Sequence, residues 1–572
     1  MRGFRHTEPM QRKTPYFWKY PIFPYFAASL SGAVAAGNFP NFAHFSTQFL
    51  WIAAAILILD FTCSTFFYFG ISSAKIRFLK RFFRACALFC ACIFIFFKQN
   101  ETPPAALFAP EISPLTLRIL ETSESSSGGR YGVAEILESR RPDTIHRKIW
   151  FNIPLSKKSK KAGIKTPKLR AGDIFKAASA ALSPVVKNPP LSWQGYKKQE
   201  STQTDFNTYL LNRFVFFKAV ISPEDIEISS RAPKPFGEKI ADYMRKKLAS
   251  DRLEFRDAPA AYDALQAMVL GDKSKLTPER KQTFKEAGAM HIFAVSGLHV
   301  GIVALALLYL CAIARIPICL RALVALPLLF LYVLACGLPP SAVRAFIMVS
   351  VFWIAMSAGR NSASINALML SATVAISLSP SVVFGAGFQL SYAVVASMLL
   401  FSFGVCEDFR NAFFKRHYFG RFNPAVDKIF DIAVGGICIS VGAACAAFPI
   451  SSYWFGAVSI GGIILSPAFV FLAGFAVFAA MAGIVLPSFA GTLCLGAGAY
   501  ITSVMVDIAQ WTSDHFNFMC TSHLQNGYAC AAATALIMLL FSFSIKIENA
   551  ALRFAIVPAI VSIGMFTLWI LQ

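Results

Sequence analysis

Runs of about twenty apolar residues recur from one end of this chain to the other, each long enough to cross a hydrocarbon core of about 30 Å as a helix. This feature limits the fold more than any other, because backbone inside lipid must satisfy its own hydrogen bonds. Composition agrees. Of 572 residues, 56% are hydrophobic and 15% are charged, where a soluble domain carries roughly 25% charged residues. The pattern predicts a polytopic α-helical membrane protein of about thirteen spans, interrupted by one polar insertion.

Residues 1–97 hold three predicted spans, at about 22–37, 43–69 and 82–97. Arg2, Arg5, Arg12, Lys13 and Lys19 precede the first, and Lys75, Arg77, Lys80, Arg81 and Arg84 lie between the second and third. The 38–48 connection is uncharged, so the positive-inside rule places the N-terminus in the cytoplasm and sends the third span outward. The small residues of "GAVAAG" (32–37) also suit signal-peptide cleavage, but the apolar segments directly after them favour a retained span.

Residues 98–230 are polar. "PLTLRIL" (114–120) and "YGVAEIL" (131–137) alternate like strands around a Ser/Gly turn, and further strands are expected at 149–153 and 214–221. A small all-β barrel or sandwich outside the cytoplasm follows. None of the 13 cysteines falls between Cys92 and Cys311, so this domain has no disulfide framework. The cysteines read as small buried hydrophobes.

Residues 231–289 form a helical linker. Phe236, Ile240, Met244 and Leu248 share one face of "FGEKIADYMRKKLAS" (236–250), which suits a membrane interface or a groove on the same protein. Thr277 before Pro278 predicts an N-cap with proline at the first helical position, and that helix ends near Gly288. From 290 to 572 about ten further spans are expected. The 404–428 loop, with Arg410, Lys415, Arg416, Arg421 and Lys428, is expected to be cytoplasmic.

The formal charge of +23, from 54 basic and 31 acidic residues, partly reflects cytoplasmic loops. The rest is concentrated between Arg140 and Lys198, where only Asp143 and Asp173 are acidic. Arg147, Lys148, Lys157, Lys158, Lys160 and Lys161 lie there beside Trp150 and Trp193. Dense Lys and Arg bind phosphate backbones and aromatic faces stack on unpaired bases. A solvated loop or a patch for anionic lipid headgroups remains the alternative.

Within the apolar part, "HIFAVSGLHV" (291–300) opens a predicted span with His291, Ser296, Gly297 and His299. Ionisable groups at membrane depth face a cavity, a partner or a substrate. Ser296 and His299 share a helix face, but a nucleophile needs a base that is itself oriented, and neighbours on one helix rarely meet that demand. A metal site lacks further ligands nearby. Arg344 opens another span, where a cation opposes the helix dipole and needs an anion, a partner or an escape to the headgroups. Gln389, Ser391 and Tyr392 suit interhelical hydrogen bonds. Asp60 has no evident partner, and the chain contains no G-x-x-x-x-G-K-[ST] loop for ATP.

"GDKSKLTPERKQTFKEAGAMHIFAVSGLHVGIVALALL" (271–308) closely resembles the signature of the ComEC family of competence DNA-uptake channels. The likeness continues through 339–395, where Arg344, Arg360, Asn366, Pro380, Gly387, Gln389, Leu390 and Ser391 match the family pattern. A weaker likeness in "LRAGDIF" (169–175) and at 205–221 implies that the polar domain is OB-like. The resemblance implies a channel in the bacterial inner membrane that passes single-stranded DNA into the cytoplasm. It carries no enzyme activity and no cofactor. The implied partners are membrane lipids, a periplasmic DNA receptor, a cytoplasmic ATP-driven motor or DNA-binding proteins, and further copies of the chain. Many family members end in a metallo-β-lactamase-like domain; the sequence ends after its last predicted span, so strand degradation is expected to be absent or to fall to another protein. A multi-span transporter or flippase for a lipid-linked or other anionic substrate is the rival reading.

Overall fold

The computed structural model describes residues 23–38, 111–124, 128–141, 144–155, 169–185, 215–233, 235–250, 258–357, 364–402, 424–516, 519–521 and 527–544, with isolated positions between them. The predicted spans at 43–69 and 553–571, Asp60, and residues 404–423 of the basic loop lie outside the described residues.

The polar insertion is a curled, mostly antiparallel sheet. Its strands are β1 (Glu111–Glu124), β2 (Arg130–Ser139), β3 (Lys148–Ile153), β4 (Ile174–Pro184), β5 (Phe217–Ile221) and β6 (Ile226–Ser230). The order β1-β2-β3-β5-β4, with β1 also paired to β4, closes five strands into a barrel, and β6 adds to the outer edge of β4. Only the β3–β5 pairing is parallel. Irregularities in β1 against both neighbours let one long strand bend around the barrel. Inward residues are the apolar set of each alternation: Leu117 and Ile119, Ile136, Ile149 and Phe151, Phe175, and Phe217 and Ile221. Each large side chain buried this way contributes about 1.5–3 kcal/mol. β4 was not legible in sequence, because "IFKAASAALSP" is rich in small residues with little strand character.

Asp173 ties the barrel together at the turn before β4. It is buried, and its two carboxylate oxygens accept the Arg170 and Ala232 backbone N–H groups, each at 3.0 Å.

The helices are α1 (Phe23–Asn38), α2 (Phe236–Ser250), α3 (Ala258–Leu270), α4 (Pro278–Glu286), α5 (Gly297–Ile313), α6 (Ile318–Ala335), α7 (Pro340–Ser357), α8 (Ser364–Leu378), α9 (Ala386–Ser397), α10 (Pro424–Phe455), α11 (Gly461–Val485), α12 (Ser488–His515) and α13 (Gly527–Ser544). Among the described residues, 4 helices are long and apolar enough to cross a membrane: α7 and most of α10, α11 and α12. Apolar stretches at Gly297–Ile313, Leu320–Ala335, Ser364–Leu378 and Ala386–Ser402 are shorter. The chain is thus a mostly helical membrane protein with a separate small barrel, and the expectation of about thirteen crossings is met in part.

Local chemistry explains the short helices. The predicted span 291–314 loses its first turns because Met290–Phe293 is a 3-10 turn and Ser296 caps the helix that follows. At its far end Arg315 takes a positive φ of 55°. Thr277 caps α4 through its side chain, with Pro278 first in the helix, as expected.

One apolar core joins α2–α7, α11 and α12, with Tyr262, Leu265 and Met268 of α3 fully inside it. Separate clusters hold α8 with the start of α9 (Ala372, Ile376, Val383, Phe388) and α10 with α13 (Ile450, Trp454, Cys530). α2 packs on α6, with Ala241, Met244 and Leu248 buried in this core. Phe236, expected on that face, is instead 61% exposed. Gly237 takes the contact, where a Cβ would fall 2.6 Å from the Leu334 carbonyl oxygen.

Candidate functional site

The site begins with how α5 starts. Ser296 is extended at the N-cap, and its Oγ accepts the Leu298 N–H at 3.2 Å. His299, three residues on, folds its ring back. Its Nδ1 accepts the Ser296 N–H at 3.2 Å and lies 2.9 Å from Ser296 Oγ. This is a capping box with histidine in the place usually taken by glutamate or glutamine. The serine and histidine therefore do meet, which their expected position inside a helix made improbable. They meet because Ser296 stands outside the helix.

The cap fixes a tautomer. A backbone N–H can only donate, so Nδ1 is an acceptor and the proton of a neutral ring sits on Nε2. His299 is 1% exposed, and that Nε2 has no protein partner. A span opening at 291 would have set His299 more than two turns into its helix. It is third instead, so its burial comes from packing by neighbouring helices and not from depth along its own.

Arg344, on α7, provides the second donor. Headgroup escape was one expectation for it, and the structure overturns that: the residue is 6% exposed and turned inward. Its Nη1 donates to the Ser391 carbonyl on α9, and its guanidinium carbon lies 5.9 Å from the centre of the Tyr392 ring. Its Nη2 lies against Gly297, where an added Cβ would stand 3.1 Å away. The side chain thus runs from the first core to α9 and passes the opening turn of α5. Ser341, one turn before it on α7, holds the two elements in register by donating to the Val295 carbonyl at 2.6 Å.

The other expected residues fall elsewhere. His291 is exposed, with its Nδ1 3.2 Å from the Gly288 carbonyl oxygen. Gln389 lies in an interhelical hydrogen-bond chain, donating to the Val383 carbonyl at 3.0 Å and accepting from Trp454 Nε1 at 2.8 Å. Ser391 meets Arg344 through its carbonyl, while its buried Oγ has no partner. Tyr392, expected in interhelical hydrogen bonds, meets Arg344 through its ring face instead, and Trp454 was missed, since an aromatic in an apolar span carries no periodic signal of a polar role.

On the barrel, Arg147, Lys148 and Trp150 are half-buried at the start of β3. Trp150 lies on the outer face of β3, 5.4 Å from Tyr131 of β2 between ring centres. Val133, Val185, Leu210 and Val215 form a small apolar cluster against it, so part of its surface is already used in packing. Lys157, Lys158, Lys160, Lys161 and Trp193 lie outside the described residues.

Comparison with known proteins agrees with this helical domain. Residues 268–548 match the family model described as competence protein. ComE operon protein 3 of Bacillus subtilis (strain 168) is 32% identical over 200 residues, covering 35% of this chain and 25% of that protein. The match thus spans about a quarter of that relative's length. No solved structure matches. The matched region contains the capped turn of α5, Arg344 and Ser391. Residues 268–548, just under half of the chain, are thus similar to the competence-protein family.

Proposed function

We propose that this chain passes single-stranded DNA across the bacterial inner membrane into the cytoplasm during natural transformation, with no hydrolytic step and no cofactor of its own. The observation that carries the reading is the buried, unneutralised donor set at the start of α5, set within a competence-family membrane domain. Among the described residues no carboxylate pairs with Arg344. A buried guanidinium with one carbonyl partner costs free energy unless a further anion shares it. A polyanion in transit supplies such anions repeatedly and leaves none behind.

The barrel supports the same reading. Five closed strands with β3 parallel to β5 suit an OB-like fold, whose strand 2 and 3 face binds oligonucleotides. Tyr131 and Trp150 lie on β2 and β3. The basic stretch that continues from β3, with Lys157, Lys158, Lys160 and Lys161, then gathers the backbone before it reaches the membrane helices. This order requires residues 98–230 to lie outside the cytoplasm and the N-terminus within it. A periplasmic receptor hands DNA to the barrel, and a cytoplasmic ATP-driven motor or DNA-binding proteins draw it inward.

A deletion strain tests the proposal. It should lose transformation while growing normally and keeping an intact envelope. Normal transformation with an envelope defect would replace DNA by a lipid-linked substrate.

A further inference from the structure

We propose that the first turn of α5, together with Arg344 and His299, is a binding site for one phosphate-class anion. The proposal rests on the DNA reading only for the identity of that anion as a phosphodiester.

Four observations bear on this turn. α5 is a 17-residue helix, so its N-terminus carries a positive partial charge from its aligned peptides. The Arg344 guanidinium, of the same sign, lies against the first residue of that helix, Gly297. A cation and a helix N-terminus repel each other, and the arrangement is reversed in sign only by an anion between or beside them. Arg344 Nε is buried with no protein partner. His299 Nε2, fixed as the protonated nitrogen by the Ser296 cap, is likewise buried without one. Buried donors are almost always satisfied by protein, water or a ligand, and a donor pair beside a helix N-terminus suits an anion.

The chemistry selects the ligand class. A guanidinium presents paired donors that match phosphate oxygens, and a neutral imidazole adds a donor without a second permanent charge. Gly297 keeps the helix end open to the guanidinium, since any side chain there would meet Nη2. None of the groups on these residues reads a base edge, so the site takes phosphate without regard to sequence. The Ser391 carbonyl holds Arg344 through Nη1, which leaves Nε and Nη2 for the anion. A nucleic-acid backbone, a lipid headgroup and free phosphate share this chemistry.

Thermal unfolding of the full chain in nanodiscs of zwitterionic lipid separates these sources. The probes are inorganic phosphate, oligothymidylate, its uncharged methylphosphonate analogue, and nanodiscs with added phosphatidylglycerol. Each is applied to wild type, Arg344→Gln, Gly297→Ala and the control Arg321→Gln. Arg321, on α6, donates to the Ile316 carbonyl at 2.9 Å and stands apart from the site. Inorganic phosphate should stabilise wild type and the control, with affinity about tenfold weaker in Gly297→Ala and lost in Arg344→Gln. Oligothymidylate, which the barrel also holds, should lose only this site's share of its stabilisation in the two variants. The methylphosphonate analogue should bind neither detectably through this site nor differently among the variants. Gly297→Ala keeps every charge, so it reports on the site even where Arg344→Gln fails to fold. Stabilisation by phosphatidylglycerol alone, dependent on Arg344 and Gly297, would uphold the anion site but remove it from DNA passage. Equal responses of wild type, Gly297→Ala and Arg344→Gln to every probe would overturn the site, leaving the deletion phenotype as an independent test of function.

Discussion

Arg344 on α7 donates to the Ser391 carbonyl on α9 while its other terminal nitrogen rests against Gly297 of α5. One side chain therefore binds three helices that the chain reaches at widely separated positions. Arg344→Ala removes this link and should abolish DNA passage with protein abundance largely kept. Truncating a buried hydrogen-bonded charge costs about 2–5 kcal/mol, so transformation frequency should fall by about thirtyfold to a few thousandfold or more. Arg344→Lys discriminates the mode of contact: it should be mild if point charge suffices and as severe as alanine if the planar fork is required. Quantitative immunoblotting beside the transformation assay separates loss of function from loss of protein.

Ser296 and His299 form a cap, so Ser296→Ala should cost about 1 kcal/mol of stability at the start of α5. It should also release the His299 ring and lower transformation by about tenfold, as expected when a donor loses its orientation. Ser296→Thr, which preserves the cap, should restore most of it. A serine-directed fluorophosphonate probe should leave Ser296 unmodified. Covalent labelling at Ser296, lost on His299→Ala, would instead make the pair a hydrolase dyad.

Much of this site was legible in the sequence, and the reason is chemical. Histidine, serine and arginine in apolar runs are costly, so each announced a role. What could not be read was their meeting. Ser296 and His299 were expected on one continuous helix, whereas a 3-10 turn ends at Phe293 and moves the helix start to Gly297. The inward turn of Arg344 depends on α9, which is distant in sequence, and no local pattern encodes it. The barrel followed a similar division. Alternating strands such as β2 were visible, but the alanine-rich β4 was not, and the closure of β1 on β4 is a long-range pairing. α3 was hidden for another reason: a 13-residue helix too short to cross can still be fully buried among longer ones.

Asp173 makes a separate prediction about the barrel. Its carboxylate accepts two backbone N–H groups while buried. Asp173→Ala leaves both donors unpaired and should destabilise the barrel by about 2–4 kcal/mol. Asp173→Asn keeps one acceptor and should cost about half as much. Limited proteolysis of the full chain should show earlier cleavage between β3 and β6 in the alanine variant.

Single-stranded DNA binding by the full chain should weaken steeply as salt rises, because counterion release dominates. Replacing Lys157, Lys158, Lys160 and Lys161 with glutamate should flatten the slope, whereas Trp150→Ala should reduce affinity with little change in slope. An unchanged slope in the glutamate variant would assign the basic stretch to lipid or solvent.

Orientation can be read directly. With native cysteines replaced, Ser159→Cys should react with an impermeant maleimide added outside, and Lys415→Cys, within the basic loop, only after access to the cytoplasm. Reaction of position 159 solely from the cytoplasm would reverse the topology and remove the barrel from the incoming DNA.

The most direct measurement follows radiolabelled DNA in cells carrying wild type, Arg344→Ala or His299→Ala at equal abundance. Both variants should accumulate protected DNA outside the inner membrane and deliver none to the cytoplasm, while wild type delivers label as single strands. Cytoplasmic label at wild-type level in both variants would show that neither residue acts on DNA and would contradict the central claim.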